Sequence, residues 1–264
     1  MKKYLTFRKI TTLIRDFFRK VRIFYNGNYF VTSKDSYVGD GLAANHIFDF
    51  LKDKKFLDAY EEGKKTGALG VHGGDIHYRA YIAIYFANLC KSLDGDFLEC
   101  GTGKGLLAKT IVTYLNFNLV DKDFYLIDTY EGIPTSQAGT KEEKNSMEWL
   151  NFHSFKGNYF QEVQKTFANY KRVKLIKGKV PEILEDVKTE KISFISIDMN
   201  NAFAEIKCIE YFWDKITKFG VVLLDDYAYS EQFKEQKKNW DEFAKEKKIE
   251  ILTLPTGQGL LVKY

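Results

Sequence analysis

Proline and cysteine are scarce in this chain: of its 264 residues, 3 are proline and 3 are cysteine. So few prolines argue against a modular protein with long linkers. Cys90, Cys100 and Cys208 are odd in number and widely spaced, without a CxxC pair or a Cys/His cluster. This pattern provides no disulfide framework and no zinc site. It predicts three small buried side chains in a protein of the reducing cytoplasm.

Long apolar runs and a large net charge are also missing. No segment approaches the roughly 18 to 20 apolar residues that span a bilayer, and the start of the chain lacks the apolar core and cleavage site of a secretory signal. The net charge of +4 is too small to indicate binding to nucleic acid. We therefore expect a cytoplasmic protein that acts on a small molecule.

The positive charge is concentrated at the start of the chain, where eight lysines and arginines face only Asp16 within the first 22 residues. Residues 5–24 are predicted to form a basic amphipathic helix. This helix either packs on the core or a homodimer partner, which we favour, or makes peripheral contact with an anionic membrane. With a turn at residues 26–28 and a second helical region through Tyr60, it forms a predicted helical extension over residues 1–75.

From Asp94 onwards, short apolar runs alternate with helical segments, as in βαβ units with a mainly parallel sheet. The last two runs are joined by only four residues, which is too short for a crossover and predicts an antiparallel hairpin. We therefore predict one α/β domain over residues 76–264. Its predicted strands are residues 97–100, 124–127, 173–176, 192–197, 221–224, 249–254 and 259–263, and its predicted helices are 106–115, 159–170, 204–218 and 232–247.

The first predicted strand ends in a glycine-rich turn, ECGTGKG at residues 99–105. Ligands of such sheets bind beyond the carboxyl ends of the strands. A dinucleotide fingerprint would need Gly or Ala at Leu106, and a phosphate-binding P-loop would need Gly at Leu98 and Ser or Thr at Gly105. The acidic Glu99 beside the turn instead suits a ligand with a cationic amino-acid part and no pyrophosphate.

Two further segments predict a nucleoside site. Asp128 ends the second strand, where a carboxylate accepts hydrogen bonds from both ribose hydroxyls. Residues 177–181, KGKVP, follow the third strand and are placed beside the adenine. The predicted cofactor-binding residues are Glu99, Gly101, Thr102, Gly103, Asp128, Thr129, Gly178, Lys179, Val180 and Asp198.

An acidic cluster is predicted at the ends of the next two strands. Asp198 follows the fourth strand, and Asp225 and Asp226 follow the fifth. Carboxylates brought together in this way repel one another unless a cation or proton neutralises them. Hard oxygen ligands favour Mg²⁺ or another divalent cation, which could orient an acceptor oxygen and lower its pKa.

Five segments together resemble the macrocin O-methyltransferase (TylF/MycF-type) family of class I S-adenosylmethionine-dependent methyltransferases. The resemblance runs from about Asp75 to Lys263. It implies a Rossmann-like fold with a seven-stranded, mostly parallel sheet of order 3-2-1-4-5-7-6, to which the patterns above add the N-terminal helices and the antiparallel hairpin. It also implies S-adenosylmethionine as cofactor, Mg²⁺ held by the three aspartates, and a sugar hydroxyl as methyl acceptor. The segments are residues 95–101 (GDFLECG), 125–132 (YLIDTYEG), 197–200 (IDMN), 224–227 (LDDY) and 254–260 (LPTGQGL).

One position departs from the family pattern. Sugar methyltransferases of the family carry a general-base aspartate where this chain has Asn200, and an amide cannot accept the proton of a hydroxyl at neutral pH. Either another group is the base, with His153, His77 and His72 as candidates, or the acceptor is already anionic. The predicted acceptor is a small molecule, namely a sugar, a nucleotide-sugar or a phosphorylated metabolite. In the second case the methylated group would be a phosphate, a phosphoramidate or a carboxylate. The predicted catalytic residues are Asp198 and His153.

Residues 132–158 form a polar stretch without clear periodicity, which is long for a loop in a compact domain. We predict that it covers the acceptor as a lid, with Trp149, Phe152 and His153 as contact residues.

Two other classes of protein remain as alternatives. Leu106 disfavours a nicotinamide-dependent oxidoreductase, and the intact set of three aspartates disfavours a non-catalytic nucleoside-binding module.

Overall fold

The computed structural model describes four stretches of the chain: residues 37–44, 46–69, 74–155 and 157–264. The predicted basic helix and the turn that follows it lie outside these stretches, as does His72. The chain divides into two compact units, and the described part of the smaller one lies within residues 37–38 and 42–48. The larger unit consists of residues 39–41 and 49–264.

Nine strands form two sheets in the described chain. Strands β1 (Tyr37–Gly39) and β2 (Leu42–Ala44) make a two-stranded sheet. The seven-stranded sheet has the order β5-β4-β3-β6-β7-β9-β8, in which β9 runs antiparallel to both of its neighbours and the other pairs are parallel. This confirms the predicted order and hairpin. Its strands are β3 (Asp96–Cys100), β4 (Phe124–Asp128), β5 (Val173–Lys177), β6 (Ile192–Ile197), β7 (Ile216–Leu224), β8 (Leu252–Thr253) and β9 (Gly259–Val262).

Seven α-helices accompany the strands within the described residues. Helix α1, which the sequence assigned to the N-terminal extension, packs against α3 and belongs to the larger unit. None of these helices is long and apolar enough to cross a membrane. They are α1 (Lys54–Lys64), α2 (His77–Cys90), α3 (Leu106–Leu115), α4 (Lys141–His153), α5 (Phe160–Phe167), α6 (Ala202–Phe212) and α7 (Lys234–Lys247).

Apolar side chains cover both faces of the central strands, which is why β6 is buried along its whole length. On one face, the Phe97 ring lies within 6 Å of the Phe124 and Phe194 rings. On the other, α6 and α7 close the core with side chains such as Phe212 and Trp240. All three cysteines are free and buried, as predicted.

Three predicted segments differ from the structure. Helix 204–218 ends at Phe212, because Ile216 already pairs with β6 as the first residue of β7. The first strand of the final hairpin shrinks from residues 249–254 to the two residues of β8.

The predicted lid is the third difference, because residues 132–158 contain α4. The helix is largely exposed, so its apolar periodicity is weak, but its start carries a capping-box pattern that the sequence analysis missed. Thr140 accepts a hydrogen bond from the Glu143 amide at 3.1 Å.

Candidate functional site

An open cavity lies over the carboxyl ends of β3, β4 and β6. Its lining includes all of the predicted cofactor residues except Lys179, which is exposed elsewhere on the loop after β5. It also includes two predicted metal ligands, Asp198 and Asp225. The structure therefore gathers residues from the ends of five parallel strands, β3 to β7, around one space, as the parallel topology requires.

The glycine turn after β3 runs directly against the end of β6. Gly101 has a φ of +87°, and a Cβ there would lie 1.8 Å from the carbonyl oxygen of Asp198. The Asp198 amide in turn donates a 2.8 Å hydrogen bond to the Cys100 carbonyl. This contact excludes any side chain at position 101 and fixes the position of Asp198 relative to the turn.

Besides Thr102 Oγ1, two buried polar atoms in the cavity wall have no hydrogen-bond partner among the described residues. They are Glu99 Oε2 and Ser196 Oγ, and these residues are register neighbours on β3 and β6. Buried polar groups are almost always bonded, so the pair is suited to a ligand that brings a donor. Burial raises the pKa of Glu99 well above its usual range, with Asp225 and Asp128 adding repulsion. A cationic ligand group would offset that penalty. Ser196 was not predicted, and its only sequence signal is a polar residue inside an apolar strand.

Asp128 is held at the end of β4 by backbone donors. Its Oδ2 accepts a 2.7 Å hydrogen bond from the Gly103 amide, and its Oδ1 accepts one of 2.5 Å from the Tyr130 amide. Burial raises the pKa of Asp128, and these two hydrogen bonds oppose the rise. The carboxylate is thus held in place in the cavity wall.

Gln137 connects the segment after β4 to the loop after β5 and to the start of α6. Sequence analysis also missed this residue. Its side-chain amide donates to the Val180 carbonyl at 2.7 Å, and its Oε1 accepts from Asn201 at 2.8 Å. The Glu143 carboxylate accepts a 3.0 Å hydrogen bond from the Ala202 amide at the start of α6. The predicted lid is therefore anchored to the base of α6 in this structure.

The predicted contact residues of the lid do not line the cavity. Trp149 is 54% exposed and Phe152 is 63% exposed. The His153 ring stacks on Trp149 with 4.3 Å between the ring centroids. Ser154 and Phe155 line the cavity instead, because the chain turns inward only after α4 ends.

The second histidine candidate is also absent from the cavity lining. The His77 ring packs on Tyr60 with 4.2 Å between centroids, and burial lowers its pKa. Since neither His77 nor His153 reaches the cavity, the geometry gives no support to either as the general base.

Asp198, Asp225 and Asp226 come together because their strands are neighbours: Ile197 of β6 pairs with Leu224 of β7. One carboxylate oxygen of each lies within 4.8 Å of the others. Burial raises the pKa of Asp198 well above its usual range, and the other two carboxylates raise it further. Three hard oxygen donors at this spacing fit a divalent cation such as Mg²⁺.

A buried arginine, Arg79 of α2, reaches the same cluster. Its Nη1 donates to Asp225 Oδ2 and lies 3.3 Å from Asp226 Oδ1. Its Nε donates to Asp40, with 3.2 Å to Oδ2. Sequence analysis missed this residue, although Arg79 is the only Lys, Arg, Asp or Glu in the otherwise apolar sequence of α2.

Asn200 occupies the position of the missing base and has a structural role there. Its φ is +50°, a left-handed conformation in which asparagine is enriched among non-glycine residues. Its amide donates a 2.8 Å hydrogen bond to Asp198 Oδ1. Asn200 thereby orients the first acidic residue of the cluster.

Behind this turn lies a fully buried carboxylate, Glu205 of α6. It accepts hydrogen bonds from Trp240 Nε1 at 2.8 Å, Gln236 Nε2 at 3.0 Å and the Met199 amide at 3.3 Å. These contacts connect α6 and α7 to the Asp198–Asn200 turn. Burial raises the pKa of Glu205 to about 7 despite the three donors.

We expect Glu205→Gln to flatten the dependence of stability on pH. The pKa of Glu205 rises from its usual 4.5 to about 7 in the folded chain. The stabilising contribution of a carboxyl with a raised folded pKa is complete below pH 4.5 and is lost as pH rises through 7. The wild type should therefore lose about 3 kcal/mol over this window from this group, whereas a glutamine cannot titrate.

Urea denaturation at pH 5 and pH 8 measures the effect. The fall in unfolding free energy between these pH values should be smaller in Glu205→Gln by about 2–3 kcal/mol. Glu210→Gln, an exposed change on the same helix, should fall as the wild type does. Equal falls in all three chains would contradict the prediction.

Comparison with known proteins gives a family match. The family model of macrocin-O-methyltransferase (TylF) matches residues 86–253, which is more than half of the chain. The matched span contains the glycine turn, Asp128 and the three clustered aspartates. A search of curated protein sequences returns no match.

Several solved structures are similar in fold. The O-methyltransferase NovP is 18% identical, with a TM-score of 0.60 over 70% of this chain and 79% of NovP. The calicheamicin methyltransferase CalS11 is 11% identical, with a TM-score of 0.55 over 88% of this chain and 99% of its own. The methyltransferase PaMTH1 of Podospora anserina, solved with S-adenosylhomocysteine, is 12% identical, with a TM-score of 0.52 over 80% and 88%. At these identities, the likeness shows a shared fold.

Proposed function

Since the chain belongs to the macrocin-O-methyltransferase (TylF) family, we propose that it transfers a methyl group from S-adenosylmethionine to a hydroxyl oxygen of a sugar or sugar-linked acceptor, assisted by Mg²⁺ or another divalent cation. The observation that carries the proposal is the packing of Gly101 against the Asp198 carbonyl. It brings the turn that suits a nucleoside cofactor and the acidic cluster that suits a metal into one cavity. A methyl donor and a metal-bound acceptor need that proximity.

The proposed cofactor-binding residues would contact three different parts of S-adenosylmethionine. Glu99, with its unpartnered buried oxygen, and Ser196 beside it are placed to receive the ammonium of the methionyl part. Asp128, already fixed by two backbone amides, accepts the ribose hydroxyls. Gly178 and Val180 line the adenine side, where Gln137 holds the Val180 carbonyl.

The metal residues would be Asp198, Asp225 and Asp226, whose oxygen donors and mutual repulsion fit a divalent cation. Such a cation, when bound, would lower the pKa of an acceptor hydroxyl. Asn200 cannot take the hydroxyl proton, and neither described histidine candidate lines the cavity. We therefore assign proton acceptance to Asp198, which Asn200 orients by its hydrogen bond.

Charge in the cavity favours a neutral acceptor over an anionic one. Among the described lining residues, the acidic Glu99, Asp128, Asp198 and Asp225 face a single basic residue, Lys104. An unpaired phosphate or carboxylate would meet repulsion from this wall, whereas a sugar hydroxyl would not. If the acceptor is a neutral hydroxyl, the rate should rise with pH as the proton is removed.

Calorimetric titration with S-adenosylhomocysteine tests the cofactor site. We expect Asp128→Ala to weaken binding by about 10- to 100-fold, because it removes a charged hydrogen-bond acceptor from the ribose. Lys179→Ala is the matched control, since this loop neighbour of Gly178 is exposed and outside the lining. It should bind within about twofold of the wild type. No binding by the wild-type chain would refute the proposed function.

A further inference from the structure

We propose that Arg79 is a resident cation of the acidic cluster, which holds Asp225 and Asp226 together when no metal ion is bound. This inference rests on the divalent-cation site of the proposed function and adds a positioning residue to it. Arg79 is 4% exposed and lies on α2, outside the strand ends that supply the aspartates. Its charge is therefore built into the scaffold of the site.

The guanidinium contacts carboxylates on two sides. Nη1 donates to Asp225 Oδ2 and to the Asp225 carbonyl at 2.9 Å, and it reaches Asp226 Oδ1 at 3.3 Å. Nε faces Asp40, at 3.3 Å and 3.2 Å from its two carboxylate oxygens. Nη2 lies 3.4 Å from the Thr256 carbonyl. A rigid planar fork makes these contacts at once, which a lysine ammonium could not do.

The far side of Asp225 is fixed by the loop between β8 and β9. Gln258 Nε2 lies 3.2 Å from Asp225 Oδ1, and Gln258 Oε1 accepts from the Thr256 hydroxyl at 2.9 Å. Asp225 is thus held by Arg79 through one oxygen and by Gln258 through the other. This arrangement gives the LPTGQGL segment a role in the site, although it lies some 30 residues beyond Asp225 in sequence.

The charge balance explains why a metal ion would still bind. Three carboxylates, those of Asp40, Asp225 and Asp226, pair with one guanidinium, and Asp198 adds a fourth carboxylate beside Asp225 and Asp226. One positive charge offsets only part of their repulsion, so the cluster keeps an attraction for a divalent cation. Without Arg79, a metal ion or bound protons would have to neutralise the same carboxylates.

The test compares the gain in thermal stability that Mg²⁺ gives to the wild type, to Arg79→Met and to Arg79→Lys. Arg79→Met removes the charge and keeps an apolar stem, whereas Arg79→Lys keeps the charge. In EDTA, we expect Arg79→Met to melt at a lower temperature than the other two chains. Its rise in melting temperature on adding Mg²⁺ should be about twofold larger than in the wild type, because the ion replaces the lost cation. Arg79→Lys should show a rise closer to that of the wild type than to that of Arg79→Met, because it keeps the positive charge although it cannot make all of the contacts.

The outcomes separate the inference from the proposed function. A wild type that binds Mg²⁺ in calorimetry, with an equal rise in Arg79→Met, would mean that Arg79 only fills space, and the inference would fail alone. A wild type that binds no divalent cation would remove the metal site and the inference together. If Arg79→Met is unfolded in EDTA, circular dichroism replaces melting. Refolding by Mg²⁺ supports the inference, and a chain that stays unfolded overturns it.

Discussion

Asp198→Ala is expected to lower the rate of methyl transfer by at least about a hundredfold while S-adenosylhomocysteine still binds within a few-fold of the wild type. The variant removes the proposed proton acceptor and one of the three metal ligands in a single change. It leaves the Asp198 carbonyl in place, and that carbonyl, together with the Asp198 amide, contacts the glycine turn. Asp198→Ala should therefore lower the rate of methyl transfer without changing the backbone of the turn that binds the cofactor.

The measurement combines single-turnover transfer to an accepted sugar with calorimetry in the presence and absence of Mg²⁺. In the wild type, Mg²⁺ should increase the rate, and in Asp198→Ala that increase should disappear. The variant should fold normally, because deleting one of three mutually repelling carboxylates relieves repulsion. Asn200→Ala is the control, since it removes only the group that orients Asp198, and it should lose less activity. A fully active Asp198→Ala chain would place the proton acceptor elsewhere.

The predicted residues that stand at strand ends line one cavity, as the sequence analysis expects. Glu99, Asp128 and Asp198 each stand within a few residues of an apolar run, so the topology of a parallel sheet was enough to bring them together. The sheet order followed from the family resemblance. These residues could be placed without knowing any side-chain contact.

The missed residues act over long distances in sequence. Arg79 meets Asp225 across 146 positions, and Gln137 meets Asn201 across 64. No local sequence pattern predicts such pairs. The one available signal is that Arg79 is the only Lys, Arg, Asp or Glu in a mostly apolar helix, and it does not indicate the partner. The failure at His153 has a different cause: the residue lies on the exposed face of α4, and the cavity is reached only by Ser154 and Phe155 after the helix ends.

Gly101→Ala should be the most damaging small substitution in the described chain. Its added Cβ would lie 1.8 Å from the Asp198 carbonyl oxygen, which is backbone and cannot rotate away. A φ of +87° adds strain for any residue with a side chain. We expect a loss of about 3–5 kcal/mol in unfolding free energy, the sum of overpacking and backbone strain.

Gly103→Ala is the matched control because it carries the conformational strain without the clash. Its φ is +54°, and the nearest atom to an added Cβ is Phe155 Cε1 at 3.8 Å. The Gly103 amide can still donate to Asp128, so this variant should lose only about 1–2 kcal/mol and keep its cofactor. Urea denaturation measures the unfolding free energy of each variant. Equal losses in the two variants would show that the contact between the turn and the end of β6 is looser than in this structure.

The two variants should also differ in how they bind S-adenosylhomocysteine and Mg²⁺. In Gly101→Ala, relief of the clash must move either the cofactor turn or the Asp198 backbone. Affinity for S-adenosylhomocysteine and the effect of Mg²⁺ should therefore fall together, although residue 101 provides no side chain to either ligand. In Gly103→Ala, the Mg²⁺ effect should be unchanged, since Asp198 is not displaced. Joint loss in the first variant alone would mean that one backbone contact couples the methyl donor site to the metal site.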